Sequence, residues 1–238
     1  MGKSKKDKTK KKTIRGWLIK TALKCILALM FFTVLQVLLF KFVNPPGTVN
    51  MVYEWTMGQY FEAPYVPSAY QWKDLKKISP HLQQAVLASE DQRFLNHHGF
   101  DFTEIRNVID DVLENKGFRG ASTISMQAAR SLYLPSSRTV YRKAAEAWYT
   151  ILIELIWDKK RIMEIYLNTV DWGTGIVGAQ AGAQAYFSRD ASALTPPQAA
   201  LMAAVLPSPH KWSARNPGPY VQKRKKRILA QMKAMPVL

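Results

Sequence analysis

Cysteine is nearly missing from this chain: Cys25 is the only one in 238 residues. An internal disulfide is therefore excluded, and the fold must hold through its core. Histidine is sparse, with only His81, His97, His98 and His210, and no Cys/His cluster has zinc spacing. No internal repeat is visible, which excludes solenoids and propellers. Hairpin signals of the Asn-Gly type are lacking, so strands should be few and short. Acidic residues are absent from several long stretches, among them 115–145 and 211–238.

What is present begins with an apolar content of 47%, enough for a packed core and incompatible with global disorder. The net charge is +17, but it is unevenly placed: residues 1–24 hold ten Lys/Arg and one acid, and residues 211–238 hold eight and none. The body between carries sixteen charges of each sign. Basicity confined to the ends, without aromatics interleaved as in single-strand binders, argues against nucleic acid as a partner. A polybasic run, Lys3 to Arg15, precedes an apolar run centred on Cys25 to Phe40. Roughly 20 apolar residues cross a bilayer as a helix. Eight basic residues before the span predict a cytoplasmic N-terminus. The sequence after it, Lys41-Phe42-Val43-Asn44-Pro45-Pro46, offers no small-x-small cleavage site, so an uncleaved signal anchor is expected. Residues 48–72 are dense in aromatics, including Tyr53, Trp55, Tyr60, Phe61 and Trp72. They fit either an interfacial belt or a strap packed on the following domain.

Helices dominate the remainder. Ser79-Pro80 reads as an N-cap with proline at the first helical position, followed by Leu82, Ala85, Val86 and Glu90. Further helices are expected over 102–115, 122–132, 139–157, 158–168 (capped by Asp158) and 178–187. A last one opens with the capping box Thr195-Pro196-Pro197-Gln198 and ends at Pro207. The expected fold class is mostly α.

Three groups of residues carry chemistry. Glu90 falls four positions after Val86, on the apolar stripe of its helix; a carboxyl group buried there is expected to have a raised pKa and to serve as a proton acceptor. Next, Gly120-Ala121-Ser122-Thr123 opens a helix that bears Gln127 and Arg130 on one face. Free N–H groups at such a start suit an anion, although taken alone a plain polar cap is the more ordinary reading. Lys116, Arg119, Arg130, Arg138, Arg142 and Lys143 all lie in the acid-free stretch, a local positive field suited to pyrophosphate. Finally, Arg142 and Glu146 are i, i+4 partners: an exposed ion pair by itself, or the edge of a sugar-transfer site if Glu90 lies near.

Taken in order, five segments resemble the motifs of the peptidoglycan glycosyltransferases, the transglycosylases of bacterial cell-wall synthesis. They are Glu90-Asp91-Gln92-Arg93-Phe94 with His97-His98-Gly99, Gly120 to Gln127, Arg142 to Glu146, Arg161 to Asn168, and Ala199 to Pro209. An ordered set is far more specific than any single motif. The resemblance implies a lysozyme-like domain with a small membrane-facing lobe, here the monofunctional, membrane-anchored type. The implied divisions are a cytoplasmic basic tail (1–16), a transmembrane signal anchor (17–43), a juxtamembrane aromatic linker (44–72) and a glycosyltransferase domain (73–238).

It also implies polymerisation of lipid II onto a growing glycan chain at the periplasmic face of the bacterial inner membrane, with release of undecaprenyl pyrophosphate. Cell-wall synthesis or division proteins are the implied protein partners. Glu90 would be the general base and Glu146 would support the donor site. Asp91, Phe94, Ser122, Thr123, Gln127, Arg130, Arg138, Arg142 and Lys143 would bind substrate. No residue is assigned as a metal ligand, although the family often uses Mg2+ or Mn2+ at the pyrophosphate. The second motif departs from the family pattern: Ala121, Ser125 and Met126 replace Gly, Thr and Gln, and Arg130 replaces Lys. A lysozyme-like hydrolase with Glu90 as acid, and an inactive scaffold, are the competing functional readings. The basic run Lys223 to Arg227 reads as a solvated helix end, or as a contact for anionic lipid headgroups.

Overall fold

Two compact units make up the chain, residues 1–43 and 44–238. The structure, a computed structural model, describes residues 3–61, 65–114, 117, 120–137 and 139–238, with side chains from residue 16 onward. The first unit is a single helix, α1 (Lys3–Phe42). Its segment Gly16–Phe42 is 27 residues long and apolar enough to cross a membrane. At 1.5 Å per residue it is about 40 Å long, more than the ~30 Å hydrocarbon core. Trp17, Leu23, Leu27, Phe31 and Leu35 are exposed along it, as a membrane anchor requires. The Pro45-Pro46-Gly47 sequence beyond cannot continue a helix.

The second unit is mostly α, as expected. Its helices are α2 (Val49–Phe61), α3 (Pro80–Glu90), α4 (Phe102–Leu113), α5 (Ile124–Tyr133), α6 (Val140–Ile156), α7 (Lys159–Thr169), α8 (Ala179–Phe187), α9 (Pro196–Val205) and α10 (Pro219–Gln231). A small sheet orders its strands β1 (Ala69–Tyr70), β3 (Ile176–Val177), β2 (Asp171–Gly173), with β1 parallel and β2 antiparallel to β3. Helix α9 packs on both α3 and α10, and α5 packs on both α6 and α7. Alanines 199, 200, 203 and 204 of α9 are fully buried, so its neighbours approach closely. Leu82, Val86, Ile124, Ile153, Ile162 and Ile165 fill the interior, each worth about 1.5–3 kcal/mol of burial.

Local signals act where expected, with informative exceptions. Asp158 Oδ1 accepts from Arg161 N at 2.7 Å, and Thr195 with Gln198 forms the capping box of α9. Ser79 does precede α3, but its hydroxyl makes no cap bond. It donates instead to the carbonyl of Leu194 at 2.9 Å, where a buried tertiary acceptor outcompetes the local one. Residues 44–61 and 65–72 belong to the second unit. Helix α2 packs on α5, Asn50 Oδ1 accepts from Ser136 N at 2.8 Å, and Tyr70 donates to the Pro45 carbonyl at 2.7 Å.

Candidate active site

A cleft of about 810 Å3 opens at the C-terminal end of α3. One wall is the start of α5 with Gly120, Ser122, Gln127 and Arg130; the other is α10, with Tyr220, Arg224 and Arg227. Glu90, the last residue of α3, lies in the cleft and follows Leu82 and Val86 along one helix face. Its side chain is 12% exposed. Three donors converge on it. Gln127 Nε2 donates to Oε2 at 3.1 Å, Ser89 Oγ donates to Oε1 at 2.8 Å, and Arg224 Nη2 stands 3.9 Å from Oε1.

Gln127 is itself held from below. Tyr166, fully buried on α7, donates its hydroxyl to Gln127 Oε1 at 3.4 Å. That fixes the amide orientation and points Nε2 at Glu90. Burial holds the Tyr166 hydroxyl well above its ordinary pKa, and the nearby Glu90 and Asp91 carboxylates add to the effect against Arg130. It therefore stays a protonated donor through the neutral range.

The start of α5 is not the open anion site that its glycine and hydroxyl residues suggest. Asp91 Oδ2 accepts the Ile124 N–H at 2.9 Å, and Thr123 Oγ1 accepts the Met126 N–H at 3.2 Å. Thr123 also donates to the Gly99 carbonyl at 2.5 Å. The turn at Gly99 has φ +88°, and a Cβ there would lie 2.9 Å from Thr150 Cγ2, so glycine is required. Asp91 and Thr123 line the cleft, but these polar atoms serve the joint between α3 and α5. Ser122 and Arg130 line it without such ties in their side chains. Phe94 is a correction: at 1% exposure, with Lys159 Nζ 4.5 Å from its ring, it is core and cannot touch a ligand.

Arg142, Lys143 and Glu146 are not among the residues that line this cleft. Glu146 on α6 is 0% exposed, with Arg142 Nη1 at 2.6 Å from Oε2 and Lys143 Nζ at 2.5 Å from Oε1. Both cations come from the acid-free stretch, so two of its charges are neutralised one helical turn away. Lys116, Arg119 and Arg138 of that stretch lie outside the described residues. Arg130 is the one described cation of the stretch that lines the cleft.

A group that the sequence did not flag is Asp91, His97 and Asp101, whose candidate ligand atoms lie within 4.8 Å of one another. It does not fit a divalent ion. Asp91 takes Ile124 N and His97 Nε2 (3.0 Å), while Asp101 takes Glu104 N (3.0 Å) and Arg93 Nε (3.1 Å). Both oxygens of Glu146 are likewise paired, with Arg142 and Lys143. The second-motif departures are accommodated. Among the described non-glycine residues only Ser188 has positive φ, so Ala121 carries no backbone strain. Ser125 keeps a hydroxyl, which donates to Glu154, and Met126 is buried.

Ser89, Tyr166 and Arg224 were not predicted as site residues. Tyr166 falls on the buried stripe of α7, where a phenol needs a partner. Arg224 was hidden among five consecutive cations, yet it stands between the buried Val221 and Ile228 of α10.

A transglycosylase family model matches residues 59–233. A biosynthetic peptidoglycan transglycosylase of Shewanella oneidensis is 42% identical over 226 residues, covering 94% of this chain and 93% of the relative. The protein of that name from Pseudomonas aeruginosa is 43% identical over 215 residues, covering 90% and 92%. The one from Xanthomonas campestris is 47% identical over 197 residues, covering 81% and 78%.

Proposed function

This chain belongs to the transglycosylase family and is a peptidoglycan glycosyltransferase, and from that premise we propose that Glu90 is the general base that extends glycan strands from lipid II. The supporting observation is the Glu90 carboxylate itself. It is reachable from the cleft, yet oriented by Gln127, Ser89 and Arg224. Such a group takes the proton from the 4-hydroxyl of the acceptor sugar. The oxygen forms a bond to the anomeric carbon of the donor as the bond to the diphosphate breaks. Direct displacement of an α-linked diphosphate leaves a β-1,4 link and releases undecaprenyl pyrophosphate.

The leaving diphosphate accumulates charge, and fixed cations stabilise it. Arg130 supplies one such charge from the cleft wall. In this reading Glu146 positions Arg142 and Lys143, leaving their remaining N–H donors for the substrate. Ser122 contributes a polar contact and Asp91 shapes the floor.

The anchor helix brings the enzyme to its lipid substrate. We place the N-terminus in the cytoplasm and the catalytic unit on the periplasmic face of the inner membrane, on the strength of the eight basic residues before the span. Exposed apolar side chains on α4 (Phe102, Ile109, Val112, Leu113) and on α6 (Val140, Tyr141, Leu155) suit a membrane-facing lobe. The test is lipid II polymerisation by the purified full chain in detergent, with wild type and Glu90→Gln side by side. Glycan strands and undecaprenyl pyrophosphate are expected from wild type alone. Wild-type rates from the variant would dismiss Glu90 as base, and release of muropeptides from intact sacculi would favour a hydrolase.

A further inference from the structure

We propose that Arg224 of α10 is a positioning residue for Glu90, a charged clamp that fixes the catalytic carboxylate through Ser89 and ties it to the last helix of the protein. The proposal rests on the reading of Glu90 as the base. Its starting point is an anomaly in a uniform-looking sequence. Lys223, Arg224, Lys225, Lys226 and Arg227 run consecutively, and a solvated helix end is what such a run predicts. Lys223, Lys226 and Arg227 are exposed and Lys225 is half-buried, whereas the Arg224 side chain is 14% exposed and its guanidinium bonds to Ser89 and the Ala204 carbonyl.

The reason is helical register. Val221, Ile228 and Met232 bury their side chains in the core. Tyr220, Arg224, Arg227 and Gln231, spaced i, i+4, i+7 and i+11, line the cleft. Arg224 is the member of that stripe whose guanidinium reaches the carboxylate.

Each of its contacts is specific. Arg224 Nε donates to the carbonyl of Ala204 at 3.1 Å, and Nη2 donates to Ser89 Oγ at 3.1 Å. Ala204 lies in the last turn of α9 and Ser89 in the last turn of α3. Both are negative helix ends with carbonyls that lack an intrahelical partner, where a cation is favoured. Ser89 completes the chain: its hydroxyl bridges Arg224 to Glu90 Oε1 at 2.8 Å and is also 3.2 Å from the Ala203 carbonyl. The guanidinium itself stands 3.9 Å from Oε1, without the tight pairing that would consume the base. At that range the guanidinium acts through Ser89, which carries the link from Nη2 to the carboxylate. Lysine, with one point charge, cannot hold the Ala204 carbonyl and the Ser89 hydroxyl as the planar fork does.

The experiment compares full-length wild type, Arg224→Gln, Arg224→Lys, Ser89→Ala and Glu90→Gln in detergent, measuring kcat and KM for lipid II polymerisation. In Arg224→Gln, kcat is expected to fall about tenfold or more, with KM within about twofold. Arg224→Lys, which keeps the charge without the fork, should recover only part of kcat. Ser89→Ala, which leaves the Ala204 contact intact, should show a smaller fall in kcat, again at nearly constant KM. It carries the test if Arg224→Gln does not fold. A wild-type kcat in Arg224→Gln and Ser89→Ala, or a rise in KM at constant kcat, overturns the clamp. Wild-type activity in Glu90→Gln instead overturns the base assignment, whatever Arg224 does.

Discussion

Glu90 and Glu146 are the same residue type, each on a helix of the catalytic unit, yet they stand in opposite settings. Glu90 ends α3, faces the cleft at 12% exposure, and is held by two neutral donors with one cation at longer range. Glu146 lies inside α6 at 0% exposure, with both oxygens taken by cations at 2.6 and 2.5 Å. The contrast shows how partners assign roles. A proton acceptor needs an oriented but unsaturated oxygen, whereas a carboxylate paired at both oxygens with Arg and Lys organises those cations.

The strongest way to break this comparison is to neutralise both. Glu90→Gln keeps the shape and is expected to lower lipid II polymerisation by about 10²–10⁴-fold, with an unchanged thermal unfolding curve. Glu146→Gln should act differently. Removing it strands Arg142 and the half-exposed Lys143, costing about 2–3 kcal/mol once solvent screening of Lys143 is allowed for, and the unfolding midpoint should drop. A Glu146→Gln protein with full stability and no activity would show that Glu146 does chemistry after all.

Tyr166→Phe sharpens the Glu90 side. It removes the hydroxyl that orients Gln127 and should lower kcat about two- to tenfold, the value of one hydrogen bond. Because burial keeps that hydroxyl protonated, the wild-type rate should show no alkaline limb from Tyr166. An alkaline limb that vanishes in Tyr166→Phe would contradict this.

The smallest effect concerns a third carboxylate, which marks the solvated end of the scale. Asp190 is held well below its ordinary pKa, first by the hydrogen bond from Lys73 at 2.9 Å and then by Ser192. A depressed carboxylate stabilises the fold above its unfolded value of 3.8 and loses that contribution as pH falls further. The pair is partly exposed, so Asp190→Asn should cost under about 1 kcal/mol at pH 7. Its deficit relative to wild type should shrink by pH 3, as read from unfolding midpoints at the two pH values.

Legibility in the sequence followed distance along the chain. The caps at Asp158 and Thr195 and the Arg142–Glu146 pair each link residues three or four positions apart. Helical geometry alone puts such partners together. Gln127 and Glu90 are 37 residues apart, Tyr166 and Gln127 are 39 apart, and Arg224 and Ser89 are 135 apart. No periodicity connects these helices. Thr123 lines the cleft, yet both hydrogen bonds of its side chain are internal, to Gly99 and Met126. Phe94 is core, because a motif position marks importance without saying whether the side chain faces the cleft or the core.

By itself, the sequence determined the mostly α fold, the apolar anchor, the position of Glu90 on its helix and the ordered motifs of the family. These depend on local period, composition and spacing, which one chain of letters contains. Tertiary structure alone decided which carboxylate stayed open and which was saturated. It also decided which of five adjacent cations turned inward, and that the α5 N-terminus was already occupied by Asp91. Each of those outcomes depends on the packing of separate helices, which sets burial and brings distant donors within hydrogen-bond range.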